Sequence, residues 1–329
     1  MRRRRTKKVV AMVLWAAMII PAAISSVGAQ PSMVRIGVLT PGITLDPALD
    51  GLREGLRKLG YWEGKNLHLT IVDSKGDTSN FLSLAAKLVE SKPDLLVTVA
   101  TPATAAVKKT TQTIPIVFTV VGEPVESGLV ASIASSRNNL TGVWPYTSPL
   151  SGKRLELLKE IAGQTRKILT VVSVKENTSL VALQFLEETA KKLDVRVLRR
   201  DVASVGDIEK NLVEKWAGSV DAIFHVPSVL VGSSIELLIA KAKNEKLPFM
   251  VHDDALVDKG ALISYGSDYR SLGIQTAQIV AKVLKGTKPS DIAIETPDRL
   301  LLSINLSTAK AIGLKLPRQV LDRADRLVD

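Results

Sequence analysis

Short apolar runs rich in Val alternate along the chain with stretches in which Leu, Ile and Val return every three or four residues. The first pattern predicts strands covered on both faces, and the second predicts amphipathic helices. Strands are expected at Met33–Leu39, Leu67–Val72, Leu95–Ala100 and Ile116–Val121. Between them, Leu49, Leu52, Leu56 and Leu59 mark one helix, and Phe81, Leu84, Ala85, Leu88 and Val89 mark a second. Such β-α alternation implies a parallel sheet with helices on both faces. The pattern breaks over Asn138–Pro149, and a helix follows at Gly152–Ile161. Alternation then restarts with strands at Ile168–Val174, Val195–Leu198, Ala222–Val226 and Phe249–Val251. Helices are expected between them at Leu180–Leu193, Ile208–Trp216 and Ile235–Asn244. A further strand at Ala261–Tyr265, a long helix at Tyr269–Leu284, a strand at Leu300–Leu306 and short closing helices complete the reading. The fold class is α/β, with two similar doubly wound parallel-sheet lobes joined near Val143–Tyr146.

Ligands of open parallel sheets bind outside the carboxyl ends of the strands. Two turns fall at that edge, Thr101-Pro102-Ala103-Thr104 and Gly122-Glu123-Pro124. Thr101 suits a helix N-cap, and Pro102 suits the first helical position. The N–H groups of Ala103 and Thr104 would then be free to meet an anion such as a carboxylate. An ordinary cap whose N–H groups face water has the same sequence, and the second turn on the same edge favours a site. Polar or aromatic residues recur at other strand ends: Thr40, Glu123, Tyr146, Asn177, Ser228, Asp254 and Tyr265. Glu123 or Asp254 would pair with an ammonium group. Tyr146 and Tyr265 would stack on a planar part of the ligand.

Composition narrows the function. The formal charge is +11, but Arg2, Arg3, Arg4, Arg5, Lys7 and Lys8 supply six of it, leaving +5 without a basic block. Nucleic-acid binding is therefore poorly supported. After those cations come an apolar run from Val9 to Ile20 and small residues ending Val27-Gly28-Ala29. This is the layout of a secretory signal peptide, with cleavage expected after Ala29 and export by the general route. The chain has no Cys, so disulfides, thiolate metal sites and a lipid-bearing Cys are excluded, and an untethered periplasmic protein is expected. Motifs for nucleotide binding or a serine nucleophile are missing, and His68, His225 and His252 lack zinc spacing. No metal or cofactor is expected. His252-Asp253-Asp254 leaves an exported acid–base enzyme as an alternative.

Several segments together are recognisable. They include Arg35-Ile-Gly-Val-Leu-Thr40, Gly55-Leu-Arg-Lys-Leu-Gly-Tyr-Trp-Glu-Gly-Lys-Asn-Leu67, Thr101-Pro-Ala103 and Ile114-Pro-Ile-Val-Phe118. Gly128-Leu-Val-Ala-Ser132, Gly152-Lys-Arg-Leu-Glu-Leu-Leu-Lys159, Ile263-Ser-Tyr-Gly266, Val283-Leu-Lys-Gly-Thr-Lys-Pro289 and Ile304-Asn-Leu-Ser-Thr-Ala-Lys310 extend them. From Val34 to Val328 the chain resembles the substrate-binding proteins of ABC transporters, in the family with tryptophan- and tyrosine-binding members. The resemblance implies a type I periplasmic binding fold whose chain crosses three times between lobes. Lobe one would comprise residues 33–144 and 263–296, and lobe two residues 145–262 and 297–329. It further implies a monomeric receptor that closes on a small solute, such as an aromatic or other amino-acid-like carboxylate. Its partners would be an ABC permease and, through it, an ATPase subunit. A ligand sensor would share the fold. The chain departs from the family at Gly122-Glu123-Pro124, usually Gly-Asp-Pro, and at Val174-Lys175-Glu176-Asn177, often an Asn-Pro turn.

Overall fold

The computed structural model describes residues 33–42 and 45–329. The expected signal peptide lies outside these residues. Five strands form the first sheet: β1 (Val34–Thr40), β2 (Leu67–Asp73), β3 (Leu95–Val99), β4 (Ile116–Thr119) and β5 (Leu140–Gly142). Their order is β2-β1-β3-β4-β5, and every pairing is parallel. β3 and β4 are buried along their whole length, as their unbroken apolar runs require.

Seven strands form the second sheet: β6 (Lys167–Ser173), β7 (Arg196–Val202), β8 (Ala222–Phe224), β9 (Phe249–Val251), β10 (Ile263–Ser267), β11 (Leu300–Asn305) and β12 (Arg326–Val328). The order is β12-β11-β10-β9-β8-β6-β7, and only the β10–β11 pairing is antiparallel. β5 (Leu-Thr-Gly) and β12 (Arg-Leu-Val) are three-residue strands without a continuous apolar run, and neither was expected from the sequence.

The helix Tyr269–Leu284 leaves β10 and returns to the first sheet, where it lies along the helix Asp46–Lys58. The two backbones approach closely. A Cβ at Gly51 would stand 1.9 Å from the Arg270 carbonyl oxygen, and one at Gly273 would stand 2.0 Å from that of Ala48. Leu49, Leu52, Leu56, Leu272, Ile279 and Val280 join Ile36, Val38 and Val97 in one core. The expected start of this return at residue 263 is corrected: Ile263–Ser267 is paired with β9 and β11 in the second sheet, and the chain departs after it.

Three segments pass between the sheets side by side. Trp144 N–H donates to the Glu295 carbonyl at 2.8 Å, and Glu295 N–H donates to that of Gly142 at 3.0 Å. The Ser267 hydroxyl donates to the Pro145 carbonyl at 2.8 Å. Arg154, fully buried in the helix Ser151–Ile161, fastens two of them. It donates to the Thr147 carbonyl at 2.6 Å and to the Tyr265 carbonyl at 3.2 Å.

Candidate functional site

A cavity of about 320 Å³ lies between the carboxyl ends of the two sheets. Its walls are mainly aliphatic, with Leu45, Ala105, Val120, Val229 and Leu256 among them. Two helices begin at its rim, Thr101–Thr110 from the first lobe and Asn177–Lys192 from the second. Their first turns meet: the Thr101 and Thr178 hydroxyl oxygens are 3.4 Å apart. A Cβ added at Gly122, after β4, would stand 2.3 Å from the Thr178 methyl group. The lobes are therefore closed upon one another at this end of the cavity.

The backbone that presents the first-lobe rim is strained. Ala100, just after β3, has φ 71° and ψ 158°, a region that glycine alone adopts readily. Val120, just after β4, has φ 54°, an unusual value for a β-branched residue. Both line the cavity.

Of the residues expected from the sequence, Thr101, Pro102, Asn177 and Ser228 line the cavity. Thr101 does so in a different role, because its helix starts one residue earlier and Ala100 is the capping position. Its hydroxyl accepts from Gly122 N–H at 2.9 Å and donates to the Gly122 carbonyl at 3.1 Å, tying β3 to β4. Thr104 N–H, expected to be free, donates to the Ala100 carbonyl at 3.1 Å. The Thr104 hydroxyl bonds the same carbonyl, and Ala103 and Thr104 are both buried. In that first turn, the N–H groups without an intrahelical acceptor are those of Thr101 and Ala103.

The other expected residues do not line the cavity. Thr40 is buried, and its hydroxyl accepts from Gly42 N–H at 3.0 Å to shape the exit of β1. Glu123 is 2 % exposed, and burial pushes its carboxyl above the usual range, which ill suits an ion-pairing carboxylate. Tyr146 is 40 % exposed and packs edge-on against Trp144. Asp254 precedes a short helix without a side-chain capping bond, and its carboxylate lies 3.4 Å from Arg326. Tyr265 packs into the second lobe's core.

Sequence reasoning singled out His252 and Asp253 only for acid–base chemistry, and did not group them with His225 and Tyr269 at the ends of β8 and β9. His225 and His252, with ring centres 4.7 Å apart, both line the cavity, as do Asp253 and Tyr269. Burial drives His225 down to about 3, helped by the Arg154 charge, and holds His252 well below its usual value. Burial likewise raises Asp253 to about 8 and the Tyr269 phenol well above its ordinary range. Arg154 falls to about 9 by burial and has no carboxylate partner among the described residues. A signal for Arg154 existed: it stands four and seven residues before Leu158 and Ile161, on the apolar face of its helix.

Charged side chains nearer the rim are already engaged. Lys175 donates to the Ala203 carbonyl at 3.0 Å. Glu176 accepts from the Ser228 hydroxyl and from the N–H groups of Val229 and Leu230, at 2.8–3.0 Å. Among the described residues, no cluster of His, Asp and Glu is placed to hold a metal ion.

The sequence profile of the family described as ABC transporter substrate binding protein matches residues 34–328. The chain belongs to this family. It is a solute-binding protein and not an enzyme, so the acid–base reading of His252, Asp253 and Asp254 is withdrawn. A tyrosine-binding protein of Clostridioides difficile is 29 % identical over 282 residues, covering 86 % of this chain and 81 % of that one. A Streptococcus pneumonia ABC domain solved in complex with L-Trp has a TM-score of 0.84 at 26 % identity, covering 90 % of this chain and all of that one. The ligand-free, open structure of a Clostridium difficile substrate-binding protein has a TM-score of 0.67 at 27 % identity, covering 90 % and 99 %. This substrate-binding protein has the type I periplasmic binding fold, as do its structural neighbours. Among the described residues, no helix is long and apolar enough to cross a membrane.

Proposed function

We propose that this protein is the exported receptor of an ABC importer, and that it carries an amino-acid-like carboxylate, aromatic ones included, to a membrane permease. The observation that carries this reading is the meeting of two helix N-termini, one from each lobe, at one end of a largely aliphatic cavity. Free N–H groups and aligned dipoles there favour a carboxylate. The aliphatic walls suit the remainder of such a molecule. Relatives that bind tyrosine and L-Trp support the same class. Thr101, Pro102, Asn177 and Ser228 belong to this site in our reading, with Thr178 and the backbone of Ala103 beside them.

The closed rim and the three parallel crossings support a hinge-closing receptor working as a monomer. Its lobes are best divided after Gly142, Ser267 and Glu295. Periplasmic location and cleavage after Ala29 complete the proposal, on the strength of the basic, apolar and small-residue layout of residues 1–29. Calorimetric titration with amino acids and with the matching amines that lack the carboxylate tests the central claim. Acids should bind and amines should bind at least about tenfold more weakly. Equal affinity for both series would remove the carboxylate from the site.

A further inference from the structure

The cavity has a second polar end, where three imidazole nitrogens have no hydrogen-bond partner among the described residues. Neither ring nitrogen of His225 has a hydrogen-bond partner among the described residues, and Nδ1 of His252 has none either. His225 is 4 % exposed, His252 8 % and Asp253 1 %, so solvent reaches them only slightly. All three line the cavity. Buried polar atoms left unpaired are costly, and native structures hold few of them. Three such nitrogens on two neighbouring rings, facing one cavity, are expected where a ligand supplies the missing partners.

The strand order gives the distance. β6, which leads into Asn177 and Thr178, is separated from β9, which leads into His252 and Asp253, by β8 alone. Two strand spacings make roughly 10 Å. One helix-rimmed end and one His-Asp end thus stand apart by about the length of an amino acid bearing a ring.

We infer that His225, His252 and Asp253 form a second recognition pole, which takes an uncharged hydrogen-bonding group on the ligand's ring, a phenol hydroxyl or an indole N–H. This inference rests on the amino-acid reading above and specifies the far end of that ligand. The chemistry of the pole is neutral. A buried imidazole that stays unprotonated offers one donor and one acceptor. A carboxyl that keeps its proton offers a donor, as Asp253 does below about pH 8. A cationic side-chain terminus would find no free carboxylate here, because Glu176 is engaged elsewhere and Asp253 holds its proton below about pH 8. A plain hydrocarbon terminus would leave the imidazole nitrogens unpaired, which is how a polar pocket rejects an analogue lacking its polar group.

The test titrates the purified protein with two pairs of ligands by calorimetry. L-Tyrosine is compared with L-phenylalanine, and L-tryptophan with L-3-benzothienylalanine, in which sulfur replaces the indole N–H without changing the shape. At least one pair should be separated by about tenfold or more in favour of the hydrogen-bonding member. In His225→Phe the ratio should fall to within about twofold, while His225→Asn should retain part of it. Equal affinities within both pairs in the wild type would overturn the inference, as would an unchanged ratio in a folded His225→Phe. If that variant does not fold, the wild-type ratios and His225→Asn decide. Failure of all four ligands to bind would instead overturn the amino-acid reading itself, and this inference with it. Tight, undiscriminating binding of all four would sink this inference alone.

Discussion

Asp253 keeps its proton to about pH 8 because burial denies its carboxylate hydration, and Asp254 and Asp268 add to the effect. In the unfolded chain the same group ionises near 3.8. Between these values the folded state binds the extra proton, so its contribution is complete below 3.8 and is lost as pH rises to about 8. His225 acts in the opposite sense. Its folded value of about 3 lies below the ordinary 6.5, so its contribution is complete above 6.5 and is lost as pH falls toward 3. Asp253→Asn keeps the oxygen that accepts from Ala255 N–H at 3.0 Å and removes the ionisation. Its thermal midpoint should match the wild type near pH 4, rise above it progressively up to pH 8, and then run parallel. A constant offset across that range would show that Asp253 does not titrate as described.

The strand Leu95–Val99 and the helix Thr101–Thr110 meet at Ala100, whose backbone occupies a glycine-favoured region. Such strain costs about 1–3 kcal/mol. Ala100→Gly should therefore raise stability in urea by about 1 kcal/mol, after the entropy cost of glycine is set against the relief. A loss of stability would show that the methyl group's packing outweighs the strain. The same junction shows where the sequence stopped being legible. Apolar runs of four or more residues located β1 to β4 and the long helices, because periodicity records burial directly. It did not place β5, whose Leu140-Thr141-Gly142 holds a single large apolar residue, although it placed β8 and β9, which are equally short but apolar throughout. Nor could it show that Ala100 turns left-handed, which moves the helix start and gives Thr101 to the Gly122 backbone instead of a cap. Thr101, Pro102, Asn177 and Ser228 were found because they end strands on the ligand edge. Glu123, Asp254 and Tyr265 share that position, but their side chains are used in the core or in an ion pair. His225 was set aside for want of zinc spacing, because one sequence does not reveal an unpaired nitrogen.

Across the whole molecule, closure depends on how near the two rims can come. Gly122 is the contact point, since any side chain there meets Thr178. Gly122→Ala should weaken ligand binding by about tenfold or more, leave unliganded stability unchanged, and enlarge the radius of gyration seen by scattering with ligand present. Gly122→Ala combined with Thr178→Ala should recover part of both affinity and compactness, because only the Thr178 Cβ, 3.0 Å from the added methyl, then remains in the way. Unaltered affinity in the single variant would place closure elsewhere.

The interleaved chain path has a consequence for how the protein is made. The helix Tyr269–Leu284 covers the first sheet, and β11 and β12 complete the second. Neither core can be finished while the carboxyl-terminal segment is still in the ribosome. The usual order, in which the amino-terminal domain folds first during synthesis, is thereby blocked. In an exported chain, as proposed above, this delay keeps anything stable from forming early enough to jam the secretion pore. A chain ending at residue 262 should accordingly show no cooperative melt for either lobe, and its backbone amides should exchange with solvent without protection. The full chain should protect the amides of β1 and β6 together, so that completion of the carboxyl-terminal segment sets the moment of folding for both lobes.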